Sequence, residues 1–281
     1  EENIQISSGI DGSIKSIFEI FTKLNDKVAV LSPTYAMYEV YSKVFKTKLI
    51  RIGYKKFKLD KKELFKIIRT SGIKILFIPN PNQPIEDNLN SKEINKICTE
   101  CKKRKILLVV DEAYHMFGSQ SSINLYKKFN NILILRTLSK SFGLPSIRFG
   151  YVIGNVKIIR IFEAHRLSYE SNFLTDHVIK FFIRNLKYIK NYIAKINISR
   201  DFFKSQLKMM NFDVYGGQAN FLLIDFKDVS IKKKIVSSLE KNKIYTKSNY
   251  SNELSSCILV TCGYKKTMNK LLKIIKKVKK K

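Results

Sequence analysis

What the chain lacks narrows its class before anything it contains. No apolar run approaches the roughly 20 residues that a bilayer-crossing helix needs, and residues 1–20 show no basic start followed by an apolar stretch. Neither a membrane partner nor a secretory signal is therefore expected. Glycine and proline are sparse, 11 and 5 among 281 residues, and no internal repeat or low-complexity linker is present, which excludes a fibrous repeat or a disordered tail. Cysteine occurs four times, at Cys98, Cys101, Cys257 and Cys262. The first two have C-x-x-C spacing but no second pair or C-x-x-H partner, so no metal is expected. Ile94, Ile97 and Cys101 fall on one helical face, which reads as packed thiols, and reduced thiols suit a cytoplasmic protein. His115, His165 and His177 fit no motif and read as structural or exposed.

Acidic residues are scarce as well: 23 Asp and Glu stand against 53 Lys and Arg, a formal charge of +30. Such a balance invites a nucleic-acid reading. The excess is mostly Lys, spread over nearly every expected helix, and only Lys273 to Lys281 forms a dense block. No nucleic-acid module is recognisable, so specific nucleic-acid binding is not expected.

What is present is ample apolar sequence, 44% of residues, in two arrangements. Short runs with strand character occur at Lys27 to Leu31, Leu49 to Gly53, Ile75 to Pro79, Leu107 to Val110, Ile132 to Arg136 and Phe149 to Gly154. Between them Ile14 to Leu24, Lys61 to Thr70 and Lys92 to Lys103 place apolar residues three and four apart, as amphipathic helices do. Strands alternating with helices predict an α/β body, a mostly parallel central sheet covered by helices. Residues 156–207 read as nearly continuous helix. A smaller α+β unit follows, with strands near Phe212 to Tyr215 and Phe221 to Phe226, a helix through Ile231 to Lys241, short strands around Ile244 to Lys247 and Cys257 to Val260, and a final amphipathic helix. The division expected is a large body over residues 1–170, then a connecting helix and small C-terminal domain over 171–281.

Ligands of parallel α/β sheets collect beyond the carboxyl ends of strands. The polar residues there are Asn80-Pro81-Asn82-Gln83-Pro84, Asp111-Glu112-Ala113-Tyr114, Thr137-Leu138-Ser139-Lys140-Ser141-Phe142-Gly143, and Arg148. A strand-end lysine suits a Schiff base, because partial burial leaves an amine more nucleophilic. An Asp at a neighbouring strand end can hold a pyridinium nitrogen protonated. Together they suggest pyridoxal 5'-phosphate. Arg148 with the hydroxyls of Thr137 and Ser139 would cup its phosphate. The amides of Ile10 and Asp11, in the Ser8 to Gly12 segment that opens the first helix, would complete that cup. Tyr35 could stack on the ring.

These residues, with Pro33-Thr34-Tyr35-Ala36-Met37-Tyr38 and Arg148-Phe149-Gly150-Tyr151, resemble the fold-type I pyridoxal-phosphate enzymes of the class I and II aminotransferase group. Within that group they are most similar to histidinol-phosphate aminotransferases and their threonine-phosphate decarboxylase relatives. The resemblance implies Lys140 as the Schiff-base lysine and proton shuttle, Asp111 at the pyridine nitrogen, Tyr114 and Gln83 near the phenolic oxygen, Arg148 with Ser139 at the phosphate, and Tyr35 over the ring. It implies transamination between a small, perhaps phosphorylated, amino donor and a keto-acid acceptor, in a cytoplasmic homodimer. Decarboxylation and a degenerate, non-catalytic paralogue are the alternatives. The second is suggested by departures from the family pattern. Gln83-Pro84-Ile85-Glu86 stands where relatives read Asn-Pro-Thr-Gly, and Leu259 stands where an arginine for the substrate carboxylate is expected. Either another cation such as Arg166 replaces that arginine, the substrate has no α-carboxylate, or activity is weakened. The family's amino-terminal arm has no counterpart before Glu1, so a fragment or reduced paralogue is expected.

Overall fold

The computed structural model describes residues 1–166, 168 and 171–279. Eight strands form one sheet: β1 (Ile4–Ser8), β2 (Lys27–Ser32), β3 (Lys48–Lys55), β4 (Lys58–Leu59), β5 (Ile75–Pro79), β6 (Leu107–Asp111), β7 (Ile132–Thr137) and β8 (Phe149–Gly154). Their spatial order is β1-β8-β7-β6-β5-β2-β3-β4. The run from β7 through β3 is parallel, and β8, β1 and β4 are antiparallel to their neighbours.

Parallel strands must be covered on both faces, and successive side chains alternate between faces, so each strand feeds two cores. Ala29, Leu31, Leu76, Ile78, Leu108 and Val110 join one core with Leu64 and Ile68 of α3 (Lys61–Thr70) and Ile94, Ile97 and Cys98 of α4 (Ser91–Lys103). Val28, Val30, Ile75, Phe77 and Val109 join the other, against Ile14, Ile17 and Phe18 of α1 (Gly9–Phe21), Tyr38 of α2 (Met37–Val44) and Ile159 and Phe162 of α5 (Val156–His165). Each fully buried aliphatic or aromatic side chain in these layers contributes about 1.5–3 kcal/mol. Cys98 and Cys101 are buried in the packed face of α4, and burial pushes the Cys98 thiol up to about 12.

Beyond α5 come α6 (Phe173–Arg184) and α7 (Leu186–Met209), then the strands β9 (Asp213–Tyr215), β10 (Phe221–Asp225) and β11 (Cys257–Thr261), with α8 (Val229–Lys241) between the last two and α9 (Lys265–Lys279) at the end. These strands form a separate antiparallel sheet, β11-β10-β9. Its core joins Leu222 to Ile224 with Phe203 and Leu207 of α7, Ile235 and Leu239 of α8, and Leu271 and Ile275 of α9. Tyr114, Phe117 and Ile85, from loops of the large sheet, pack into the same cluster.

Several expectations are corrected. The first helix starts at Gly9 and stops at Phe21, short of Leu24, where Thr22 turns extended. Strand β1 and helix α2 had no sequence-based counterpart. The single long helix is three, broken among the described residues by the side-chain cap of Asn172 on Thr175 N, at 3.0 Å, and by Asn185 between α6 and α7. Ile244 to Lys247 forms no strand; Lys247 alone bridges to Leu259. The expected division between residues 170 and 171 borders Tyr169 and Glu170, which lie outside the described residues, as do Lys280 and Lys281 of the terminal lysine block. No helix among the described residues is long and apolar enough to cross a membrane.

Candidate active site

A cleft opens beyond the carboxyl ends of the parallel strands. It is lined by Ile10, Asp11, Tyr35, Gln83, Asp111, Tyr114, Thr137, Ser139, Lys140 and Arg148, together with Thr34, Pro79, Pro81, Ala113 and Pro145. The residues expected to hold the cofactor, Lys140 among them, are therefore brought to one place. Parallel register explains the convergence: Pro79 is paired with Asp111, and Asp111 with Leu135, so the loops after β5, β6 and β7 leave the sheet side by side.

Asp111 is the buried end of β6. One carboxylate oxygen accepts from the Ala113 N–H at 2.9 Å and the other from the Tyr38 hydroxyl at 2.8 Å. Burial pushes its carboxyl up to about 6, while the Tyr38 and Ala113 hydrogen bonds and the charge of Lys140 draw it back down. At neutral pH it is predominantly ionised. The next residue, Glu112, is also fully buried but pairs with Arg136 at 2.9 Å and takes no part in lining the cleft. The Lys140 ammonium lies 5.5 Å from the ring centroid of Tyr114, which also meets Phe221 of β10 in a T-shaped contact at 5.1 Å.

At the far end, hydroxyls and a guanidinium surround the start of α1. Thr137 Oγ1 donates to Phe149 O and accepts from Ser139 N, and lies 2.9 Å from Ser139 Oγ. Ser8 places no side-chain cap on α1, so the first-turn amides remain free to donate to an anion. Two glycines make this cup possible. A Cβ on Gly150 would lie 2.5 Å from the Gly9 carbonyl carbon, and one on Gly9 would lie 2.9 Å from Arg148 Nη2. Only bare backbone allows β8, α1 and Arg148 to approach so closely. Arg148 itself holds a left-handed conformation, φ 53°, and points Nη2 to within 3.5 Å of Asp11 Oδ2. Asp11 Oδ1 accepts from the Tyr35 hydroxyl at 2.8 Å.

The departures from the family pattern are resolved as follows. Glu86 accepts from the backbone N–H of Gln218 at 2.7 Å, tying the loop after β5 to the turn before β10. Leu259 belongs to the apolar core of the small sheet, paired with Leu223, and does not line the cleft. Arg166 does not replace the expected arginine: it lines a separate small cleft with Gln5, Ser13 and His165. Among the described residues lining the main cleft, the cations are Lys140 and Arg148. Sequence reasoning missed Tyr38, whose partner Asp111 lies 73 residues along the chain.

The chain is similar to known proteins over nearly its whole length. The family described as aminotransferase class I and II matches residues 1–275. A histidinol-phosphate aminotransferase of Buchnera aphidicola subsp. Cinara cedri is 34% identical over 268 residues, covering 92% of this chain and 74% of that protein. One from Christiangramia forsetii is 33% identical over 282 residues, covering 98% and 79%. The crystal structure of histidinol-phosphate aminotransferase from Sinorhizobium meliloti in complex with pyridoxal-5'-phosphate superposes with a TM-score of 0.90 at 21% identity, over 99% of this chain and 77% of that one.

Proposed function

The chain belongs to the class I and II aminotransferases, fold-type I enzymes dependent on pyridoxal 5'-phosphate, and from that membership we propose that it moves an amino group between a histidinol-phosphate-like amino compound and a keto acid. The observation that carries this reading is the joint placement of Lys140, Asp111 and Arg148 in one cleft.

The residues present fit the cofactor. A buried carboxylate with lone pairs to spare, an amine, and an anion cup of free amides, hydroxyls and a guanidinium match a ring nitrogen, an aldehyde and a phosphate. Once bound, the cofactor serves as an electron sink for the bonds at the substrate's Cα. Asp111, ionised at neutral pH, holds the ring nitrogen in its protonated form. Lys140 would hold the cofactor at its aldehyde and, with its amine free, would move the proton at the substrate's Cα. Arg148, Thr137, Ser139 and the amides of Ile10 and Asp11 hold the phosphate, with Tyr35 covering the ring and Tyr114 and Gln83 placed toward the phenolic oxygen.

The same reading divides the chain into a cofactor-binding body over residues 1–170 and a C-terminal body over 171–281, and places the enzyme in the cytoplasm, where its four free cysteines stay reduced. It also makes the enzyme a homodimer. Exposed Phe173, Phe181 and Tyr188, with Phe173 against His177 and Phe181 stacked on Tyr188, supply apolar surface for a second copy.

The test is spectral. Purified with pyridoxal phosphate, the protein is expected to show a visible absorption band that histidinol phosphate bleaches and a keto acid restores. Lys140→Ala should lose that response and at least about a thousandfold in turnover, since it removes both nucleophile and proton carrier. A band untouched by any phosphorylated amine, or carbon dioxide release without keto-acid exchange, would overturn the reading.

A further inference from the structure

Asp111 is fully buried, and burial by itself drives a carboxyl toward its neutral form, which cannot stabilise a positive ring nitrogen. Something must keep it charged and aimed. Lys140 faces the cleft as a counter-charge, but its amine is committed to the aldehyde and then to proton transfer. The Ala113 N–H comes from the same loop as the carboxylate and turns with it. Glu112, the neighbouring acid, opposes ionisation and is itself tied to Arg136.

The remaining partner comes from a different element. Tyr38, in the first turn of α2, has no exposed surface, and its hydroxyl donates to Asp111 Oδ2 at 2.8 Å. Its ring is fixed between Phe77 of β5, at 4.9 Å between centroids, and the edge of Tyr35, at 6.2 Å. Burial first, then Asp111 and the more distant Tyr35 and Asp11, hold this phenol well above its ordinary range, so it stays a donor. A neutral donor has one property no cation offers here: it favours the charged carboxylate without competing with the ring nitrogen for that charge.

We propose that Tyr38 is a positioning residue for the transamination, a phenol whose hydrogen bond keeps Asp111 ionised and oriented toward the cofactor's ring nitrogen. This rests on the reading of Asp111 given above. It assigns the PTYAMY segment two separate tasks: Tyr35 covers the ring face, and Tyr38 sets the carboxylate beneath it.

The experiment compares wild type, Tyr38→Phe, Asp111→Asn and the double variant. Tyr38→Phe removes one oxygen and leaves the ring packed on Phe77. In the cofactor-free protein, carboxyl-carbon NMR reads the titration of Asp111 directly, and Tyr38→Phe is expected to raise its midpoint by about one pH unit, the equivalent of one hydrogen bond to a charged group. In binding titrations Tyr38→Phe should weaken pyridoxal phosphate by about tenfold. It should leave unchanged the affinity for the analogue in which C–H replaces the ring nitrogen, and the double variant should match Asp111→Asn alone. An unmoved carboxyl titration, or equal loss for both cofactor forms, overturns the role of Tyr38. If Asp111→Asn itself binds both forms as wild type does, the ring-nitrogen reading of Asp111 fails and takes this inference with it, whatever Tyr38→Phe does to the carboxyl.

Discussion

The ends of β6 and β7 in the large sheet and the strand β11 in the small one were both expected to carry site residues, yet they are built differently. At the first, a charged Asp111, an amine and two hydroxyls are gathered where burial opposes them, and Asp111 is pushed up to about 6 as a result. At the second, Cys257, Ile258, Leu259 and Val260 are all buried apolar packing. One region holds a charge that burial opposes; the other contributes packing alone. On the proposed reading, the difference teaches that cofactor handling and substrate-anion handling are separable in this fold. Only the former is written into the described residues of the cleft.

The comparison breaks first at Leu259. If β11 serves packing, Leu259→Ala should destabilise the protein by about 2–5 kcal/mol, the usual cost of truncating a buried leucine. Denaturant melts report that loss, while the dissociation constant for pyridoxal phosphate, taken on the folded fraction, should stay within about twofold. A tenfold loss of cofactor affinity with unchanged stability would place Leu259 in the cleft's working surface instead.

Asp111 sharpens the other half. Its carboxyl binds its proton more tightly when folded, near 6, than at the ordinary 3.8 of an exposed group. Between those values the folded state holds a proton the unfolded state has released, so stability falls as pH rises from about 4 to about 6. The loss amounts to about 3 kcal/mol at most. In the cofactor-free protein, Asp111→Asn should abolish it: more stable than wild type at pH 7, with the gain gone below about pH 4. Thermal melts across that range decide the matter. A variant less stable at pH 7 would mean that the carboxylate earns its place by structure and not by ligand binding.

The same contrast explains what could be read from residue order alone. Buried strands announce themselves as apolar runs, so the parallel β2, β3, β5, β6 and β7 and the antiparallel β8 were all legible, as were the polar residues at their ends. Strand β1 was not, because it lies at a sheet edge with Ile4 and Ile6 more than a third exposed and its pattern resembles no buried strand. Helix α2 spans only eight residues, too short for a convincing period. The breaks between α5, α6 and α7 escaped notice because no glycine or proline marks them; asparagines do the capping, a weaker signal. Roles that depend on a partner far along the chain were invisible. Tyr38 meets Asp111 across 73 residues, and Glu86 meets Gln218 across 132.

Tyr35 offers the smallest and finest test. Its ring is the expected cover for the cofactor, but its hydroxyl is the tether, donating to Asp11 Oδ1 at 2.8 Å while the other Asp11 oxygen faces Arg148. Tyr35 is 41% exposed, so a single neutral-to-charged hydrogen bond in this half-wet setting is worth about 1 kcal/mol. Tyr35→Phe should accordingly weaken pyridoxal phosphate by only a few fold, measured by equilibrium titration. Tyr35→Ala, which removes the stacking surface too, should weaken it further. Equal effects from the two variants would show that the tether to Asp11, and not the aromatic face, is what the cup requires of this residue. The phosphate end and the ring end of the cleft would then be coupled through one carboxylate at the start of α1.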